Sequence, residues 1–231
     1  MSPLVELLAK TDLFGGLAAN ELVTCASLFR EARFAKGQSL FVRGEQASCL
    51  YLVSDGRVRI AIVTDDGREL SFRHTVVGEI FGEIGVLDGG VRTADATALT
   101  AVSAFRLDQG DFRRLWSTRP LVAERLVAFL CRRLRETSYQ LESIALHPLH
   151  VRLARFLLIA VGDRKAPPGK RLPIELGISQ TEIALLLGAS RPKINEALGA
   201  LEGRGAVGRT LDRIFCDPAK LVEVARSTHA Q

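Results

Sequence analysis

The chain has 231 residues, of which 47% are hydrophobic, enough to bury one large core or two smaller ones. Its net charge is +5, and the whole excess lies in residues 145–231, which carry 13 Lys and Arg against 8 Asp and Glu, whereas residues 1–144 carry 18 of each. This asymmetry favours a neutral module joined to one that contacts a polyanion; the alternative is a solvated basic face. No apolar run is long enough to span a bilayer and the first ten residues do not resemble a signal peptide, so we expect a soluble, cytoplasmic protein without a membrane partner.

The cysteines are scattered along the chain, with no Cys-x-x-Cys pair and no Cys/His spacing that is typical of a metal ligand set. They are Cys25, Cys49, Cys131 and Cys216. We therefore expect free thiols, with no zinc site and no iron-sulfur cluster.

The first 35 residues have helical spacing interrupted by Gly15-Gly16, which predicts short helices. From Gly37 the chain changes to short β-type runs that alternate with turn-forming Gly and Asp-Gly pairs. These runs are Leu40–Val42, Leu50–Val53, Val58–Val63, Leu70–Phe72 and Ala101–Leu107. Many short strands at turn spacing predict a small closed β-barrel or a β-roll.

A long helix is predicted after Pro120. Its apolar positions alternate steps of three and four with one polar member, giving a heptad seam of Val127, Leu130, Leu134, Thr137, Leu141 and Ile144. Such a narrow seam favours a coiled coil with a second copy of the chain; the alternative is a helix that lies on its own barrel. Pro148 ends the helix, and we expect a hinge at Ala145–Pro148.

A second pair of helices is predicted beyond an amphipathic helix at His150–Val161. Ser179 and Glu182 form the spacing of a capping box, Gly188 provides a sharp turn, and Ser190 is the N-cap of the next helix, with Pro192 in its first turn. This combination predicts a helix-turn-helix, although an ordinary helical hairpin with solvated charges is an alternative. A following hairpin at about Ala206–Phe215 resembles the wing of such domains.

In a helix-turn-helix the second helix enters the major groove, and residues near its N-terminus face base edges while nearby cations contact phosphates. Arg191, Lys193 and Glu196 are the candidate base readers. The complete predicted DNA-binding set is Ser179, Gln180, Ser190, Arg191, Pro192, Lys193, Asn195, Glu196 and Arg209.

A second constellation lies within the predicted roll. Gly82 permits close backbone approach, the amides that follow it can face an anion, and the fork of Arg92 suits a phosphate. Glu83 suits a ribose hydroxyl, and Thr93 adds a hydroxyl and an amide. Taken alone, a Gly-Glu pair near an arginine is also compatible with a surface salt bridge.

The segment FGEIGVLDGGVRTA, residues 81–94, resembles the phosphate-binding cassette of cyclic-nucleotide-binding domains. The order of roll, long helix and helix-turn-helix resembles the cyclic-AMP receptor protein (Crp/Fnr) family over nearly the whole chain. The resemblance implies an α+β fold in three parts: a cyclic-nucleotide-binding β-roll with N-terminal helices at 1–119, a dimerisation helix at 120–146, and a winged helix-turn-helix at 147–231.

The resemblance also implies residue roles. Glu83 is expected to bind the ribose 2′-hydroxyl, Arg92 and Thr93 the cyclic phosphate, and Gly82 and Ile84 to form the turn around them. In cyclic-AMP-responsive members a Thr-Ser pair on the long helix meets the adenine, and Thr137-Ser138 stands at the matching place. We therefore expect cyclic AMP as the effector. A polar seam residue can also fix coiled-coil register, and a member that binds cyclic GMP, another ligand or none remains an alternative.

The expected partners are a double-stranded DNA operator, a second copy of the chain and, as the family allows, RNA polymerase. Arg191, Pro192 and Glu196 depart from the family pattern of Arg-Glu before an Arg, so we expect an altered half-site. No haem is expected, because His74 is isolated. No nucleophile-base pair or metal set suggests an enzyme, and we name no catalytic residue. A kinase-regulatory or channel-gating sensor is the alternative outside DNA binding.

Overall fold

The computed structural model describes residues 2–66, 69–162, 164, 170–210 and 213–226. It has the predicted α+β class and divides into two compact units, residues 1–136 and 137–231. Within the described ranges, no helix is long and apolar enough to cross a membrane. Residues 211–212 of the predicted wing lie outside the described part of the chain.

The helices of the first unit surround a β-rich centre. They are α1 (Pro3–Ala9), α2 (Ala19–Ala26), α3 (Glu83–Asp88), α4 (Gln109–Thr118) and α5 (Pro120–Leu146), the last of which continues into the second unit. Its strands are β1 (Arg30–Phe34), β2 (Ser39–Phe41), β3 (Cys49–Asp55), β4 (Val58–Val63), β5 (Glu69–Thr75), β6 (Ile80–Phe81), β7 (Asp95–Ala98) and β8 (Val102–Asp108).

The strands form two antiparallel sheets, ordered β1-β8-β3-β6 and β2-β7-β4-β5, which is the predicted roll rather than one closed barrel. Each β-type run of the sequence falls within β2, β3, β4, β5 or β8, apart from Val42 and Ala101. Strands β1, β6 and β7 and helix α4 were not predicted from the sequence.

Strand β3 joins the two cores of the first unit because its side chains alternate between them. Leu50 and Leu52 pack in the core that α1, α4 and α5 cover. Tyr51 and Val53 point to the other face, where they pack with Phe41, Phe81 and Ala96. Since both faces are covered, the residues Cys49–Val53 are all buried, and this central strand lacks the apolar-polar alternation of a half-exposed one.

Helix α5 has two apolar faces. Val122, Leu126 and Phe129 are buried in the core of the roll. The predicted seam lies on another side of the helix, where Val127, Leu130, Leu134 and Leu141 are between 37% and 68% exposed. The helix therefore packs on its own roll and leaves the predicted seam exposed, so pairing of that seam with a second copy stays a prediction.

The second unit consists of helices around a small antiparallel sheet with the strand order β10-β11-β9. Its elements are α6 (Leu149–Val161), β9 (Leu172–Ile174), α7 (Gln180–Leu186), α8 (Arg191–Gly203), β10 (Val207–Arg209), β11 (Ile214–Cys216) and α9 (Pro218–Arg226). The core includes Leu153, Leu157, Ile194, Leu198 and Leu221, all essentially inaccessible to solvent. Helix α9 was not predicted; the carboxylate of Asp217 caps it by accepting from the amides of Ala219 and Lys220.

Candidate nucleotide and DNA sites

The first candidate site is built on a left-handed turn at Gly82, which connects β6 to α3. Gly82 has φ +79°, and a Cβ there would lie 2.7 Å from Nη1 of Arg92. Both the backbone conformation and the lack of space require glycine at this position. The turn therefore brings the backbone of the cassette against the Arg92 guanidinium.

Arg92 is a buried cation whose side chain is 4% exposed. Its Nη1 donates to the carbonyl of Gly82 at 2.8 Å, and its Nη2 donates to the carbonyl of Cys49 at 2.7 Å. The guanidinium carbon lies 4.0 Å from the centroid of the Phe41 ring. Among the described residues no carboxylate forms an ion pair with Arg92. A buried positive charge without a counter-charge is costly, and an anion placed beside it would offset that cost.

The surroundings of Arg92 are aromatic. The rings of Phe41, Tyr51 and Phe81 pack with centroid distances of 5.4–6.2 Å. Burial raises the pKa of Tyr51 well above its ordinary value, with a further contribution from its hydrogen bond to Cys49. The phenol is therefore neutral and does not supply Arg92 with a negative charge.

Glu83, the first residue of α3, is the complementary group of the site. Its side chain is 5% exposed, yet no hydrogen bond from a described residue reaches its carboxylate. Buried carboxylates are almost always hydrogen-bonded, so this one suits a hydroxyl donor from a ligand. Ile84 is 49% exposed on the next position, and Thr93 is also exposed.

The remaining predicted nucleotide contacts, Thr137 and Ser138, are adjacent and exposed on α5. They belong to the second compact unit, whereas the cassette belongs to the first. Their assignment to the adenine stays a prediction.

Two further arginines, missed by the sequence analysis, lie at the cassette. Arg73 on β5 and Arg133 on α5 both donate to the carbonyl of Ile80, which begins β6. Arg133 could have been found from the sequence, because it lies four residues, or one helical turn, before Thr137 on the predicted long helix. Arg73 gave no signal, since an arginine in a strand normally indicates a solvent-facing position.

The second candidate site is the α7–α8 pair of the C-terminal unit. The predicted capping box is confirmed: the amide of Glu182 donates to Oγ of Ser179 at 3.2 Å, and the amide of Ser179 donates to Oε2 of Glu182 at 2.7 Å. Gly188 has φ +60°, as the sharp turn requires. Arg152 of α6 donates to the carbonyl of Leu187 and thereby holds the end of α7. Ser190 occupies the N-cap of α8, but its side chain does not make the capping hydrogen bond.

Helix α8 has one buried and one exposed face. Ile194, Ala197, Leu198 and Leu201 are buried against the rest of the unit. The predicted DNA-binding residues of α8 lie on the other side, where all are exposed: Arg191, Pro192, Lys193, Asn195 and Glu196. Ser179 is exposed and Gln180 is half-buried at the start of α7. The first turns of α7 and α8 therefore present their polar groups to solvent, as a groove-binding surface requires.

Arg209 of the wing, a predicted DNA-binding residue, forms hydrogen bonds to two side chains of α8. Its guanidinium binds Glu202 of α8 through Nε at 2.9 Å and Nη2 at 2.7 Å, and Nη1 donates to Oδ1 of Asn195 at 3.4 Å. The hydrogen bonds from Arg209 lower the pKa of Glu202. This fork-to-fork pair joins the wing to the recognition helix, and its charge is matched within the protein.

Comparisons with known proteins identify the two domains in which these candidate sites lie. The model of the cyclic nucleotide-binding domain matches residues 31–119, and that of the Crp-like helix-turn-helix domain matches residues 151–224. A CRP-like cAMP-activated global transcriptional regulator of Mycobacterium tuberculosis is 32% identical over 96% of this chain and 99% of its own length. A cyclic AMP receptor protein of Thermus thermophilus is 33% identical over 85% of this chain and 88% of its own length. The crystal structure of the Thermus thermophilus catabolite activator protein is similar with a TM-score of 0.54 and 31% identity, covering 95% of this chain and 100% of that one.

The chain belongs to the Crp/Fnr family, whose members are DNA-binding transcription regulators with a cyclic nucleotide-binding domain and not enzymes.

Proposed function

We propose that this chain is a cyclic-AMP-responsive regulator that binds a two-fold DNA operator as a homodimer. The observation that carries the proposal is the buried guanidinium of Arg92, which has no carboxylate partner among the described residues and lies beside a glycine turn at the start of α3. A cyclic phosphate would supply the missing negative charge.

The other cassette residues complete this ligand set. The buried carboxylate of Glu83 accepts from the ribose 2′-hydroxyl, and the hydroxyl and amide of Thr93 assist Arg92 at the phosphate. Gly82 and Ile84 form the turn that surrounds the sugar and phosphate. These groups recognise the part that all cyclic purine nucleotides share, so they do not select the base.

Selection of adenine is assigned to Thr137 and Ser138, whose hydroxyls can both donate and accept. Support comes from the names of the Mycobacterium tuberculosis and Thermus thermophilus relatives, which are described as cAMP-activated and as a cyclic AMP receptor. The alternative, a member that responds to cyclic GMP, another small molecule or none, uses the same cassette. Calorimetric titration with cyclic AMP, cyclic GMP and AMP decides between them, and we expect cyclic AMP to bind most tightly.

The exposed seam of α5 supports the homodimer. Two parallel copies of α5 would cover Val127, Leu130, Leu134 and Leu141 about a two-fold axis, which matches the symmetry of a palindromic operator. Nucleotide binding favours one arrangement of the paired helices around Thr137, and the hinge at Ala145–Pro148 transmits it to the helix-turn-helix. A nucleotide acts this way only if it binds the DNA-competent state more tightly than the other. The site of action is the cytoplasm, with RNA polymerase as a further partner.

Base reading and phosphate binding by α8 are separable by salt dependence. We expect Arg191→Ala to weaken operator binding by about 10- to 100-fold and to relax preference at one base pair, since a bidentate arginine-guanine contact is worth about 1–3 kcal/mol. We assign Lys193, a candidate base reader in the sequence, to a phosphate instead, because its compact ammonium lacks the planar fork of arginine. Lys193→Met should therefore lower affinity for all sequences and reduce the slope of log K against log [salt] by about 0.9. Fluorescence anisotropy over a range of salt concentrations measures both.

The matched control is Lys10→Met, which removes the same charge from an exposed position in the N-terminal unit. It should leave affinity and slope unchanged. If the Lys193 variant and the wild type had the same slope of log K against log [salt], Lys193 would not contact a phosphate.

A further inference from the structure

One backbone oxygen ties the nucleotide cassette to both the roll and the long helix. The carbonyl of Ile80 accepts from Nη2 of Arg73 at 3.2 Å and from Nη2 of Arg133 at 3.3 Å. Ile80 lies two residues before the left-handed turn at Gly82 and three before Glu83. If either arginine moves, the Ile80 carbonyl and the backbone of the following cassette residues are therefore expected to move with it.

Arg73 is half-buried on β5 and has charged groups of both signs around it. Burial lowers the pKa of its guanidinium, and the positive charge of Arg133 lowers it further. The carboxylates of Glu83, Glu79 and Glu136 act in the opposite direction. Arg73 is thus within electrostatic reach of Glu83, the carboxylate that we assign to the ribose.

A purely stabilising role does not account for this residue. Its Nη1 is buried without a hydrogen-bond partner among the described residues, and a buried donor left unpaired reduces stability. Arg59 on the neighbouring strand β4 offers a contrast, because its Nε pairs with Oε1 of Glu69 at 2.9 Å. An apolar side chain of similar length would remove this unpaired donor, so its substitution for Arg73 should cost the roll little stability. Stability of the roll alone therefore does not explain an arginine at this position.

We propose that Arg73 is a positioning residue of the nucleotide site. Together with Arg133 it holds the Ile80 carbonyl, so that the turn at Gly82 and the carboxylate of Glu83 are set for the ribose and follow the position of α5. This inference rests on the proposed function, because the group that it positions is the cassette of that site. Arg73 lies outside the cassette motif of residues 81–94, so the motif does not indicate this role.

The test compares Arg73→Met with the matched control Arg59→Met in the full-length protein. We expect calorimetry to show cyclic AMP binding about tenfold weaker in the Arg73 variant, the cost of one hydrogen bond to a charged donor, and unchanged in the control. The melting temperature of Arg73→Met should be unchanged or raised, which separates positioning from loss of fold. Arg73→Lys keeps the charge and one donor to Ile80, so it should recover most of the affinity.

A double variant tests the shared acceptor. Because both arginines bind the same oxygen, the loss in Arg73→Met/Arg133→Met should be smaller than the product of the two single losses. Losses that multiply would show that the two residues act independently and would contradict joint positioning.

Amide hydrogen exchange of residues 80–85 in the nucleotide-free protein distinguishes failure of this inference from failure of the proposed function. We expect faster exchange in Arg73→Met and wild-type exchange in Arg59→Met. If the wild type binds no cyclic nucleotide, the proposed function fails, and unchanged exchange in Arg73→Met would then overturn the positioning role as well. If the wild type does bind, wild-type affinity in Arg73→Met overturns it.

Discussion

Replacing Arg92 by methionine is expected to weaken cyclic AMP binding by about 30- to 4000-fold. Removing one partner of a buried, hydrogen-bonded charge pair costs about 2–5 kcal/mol, and each 1.4 kcal/mol corresponds to about a factor of ten. The cost is high here because Arg92 is 4% exposed, so water cannot replace the guanidinium at the phosphate. Isothermal titration calorimetry on purified variants measures the change.

Arg43→Met is the matched control for this prediction. Arg43 is an exposed arginine in the loop that precedes Gly44, whose amide donates to the carbonyl of Arg92. The substitution removes the same charge close to the cassette but outside the buried site, and we expect near wild-type affinity. Because Arg92 also holds Gly82 and Cys49, the melting temperature of each variant must be compared. A folded Arg92→Met protein that binds cyclic AMP normally would contradict the assignment.

Leu134→Lys is expected to convert the homodimer into a monomer. Leu134 is 68% exposed in the single chain and lies in the middle of the seam, so a dimer would bury one copy from each subunit near the axis. Losing two buried leucine side chains costs about 3–6 kcal/mol, and two facing ammonium groups add to the loss. The dissociation constant of the dimer should therefore rise by about 10²- to 10⁴-fold, as sedimentation equilibrium would show.

Arg135→Glu is the control for the seam, because Arg135 is exposed on α5 outside the heptad positions. It changes the charge of the same helix by two units and should leave the dimer intact. The folding of the single chain should be the same in both variants, since neither side chain is buried within it. If Leu134→Lys remained a dimer, the assignment of the seam as the dimer interface would be contradicted.

The helix-turn-helix could be predicted well from the sequence because its signals are local. The capping box at Ser179 and Glu182 and the sharp turn at Gly188 each depend on a few neighbouring residues, and both occur in the structure. The positions of β2, β3, β4, β5 and β8 also followed from short apolar runs between turn formers. Helices α4 and α9 were missed, although α9 has a local start signal in the Asp217 cap followed by Pro218.

The contacts that could not be predicted join residues far apart in the chain. Arg73 and Arg133 meet at the carbonyl of Ile80, and a backbone acceptor leaves no trace in the sequence pattern. Arg209 was predicted as part of the DNA-binding set, and its ion pair with Glu202 could not be predicted with it. A local sequence pattern predicts which residues lie at a surface. It does not predict which distant residues they contact, because that depends on tertiary packing.

The central claim, that a nucleotide in the cassette controls DNA binding, is tested most directly by operator affinity with and without cyclic AMP. The DNA would be a duplex enriched by this protein from a random library in the presence of the nucleotide, and the proteins would be the wild type and Arg92→Ala. We expect cyclic AMP to change the affinity of the wild type by about tenfold or more, the usual size of an allosteric coupling, and to leave that of Arg92→Ala unchanged. Equal affinity in all four measurements would contradict the account.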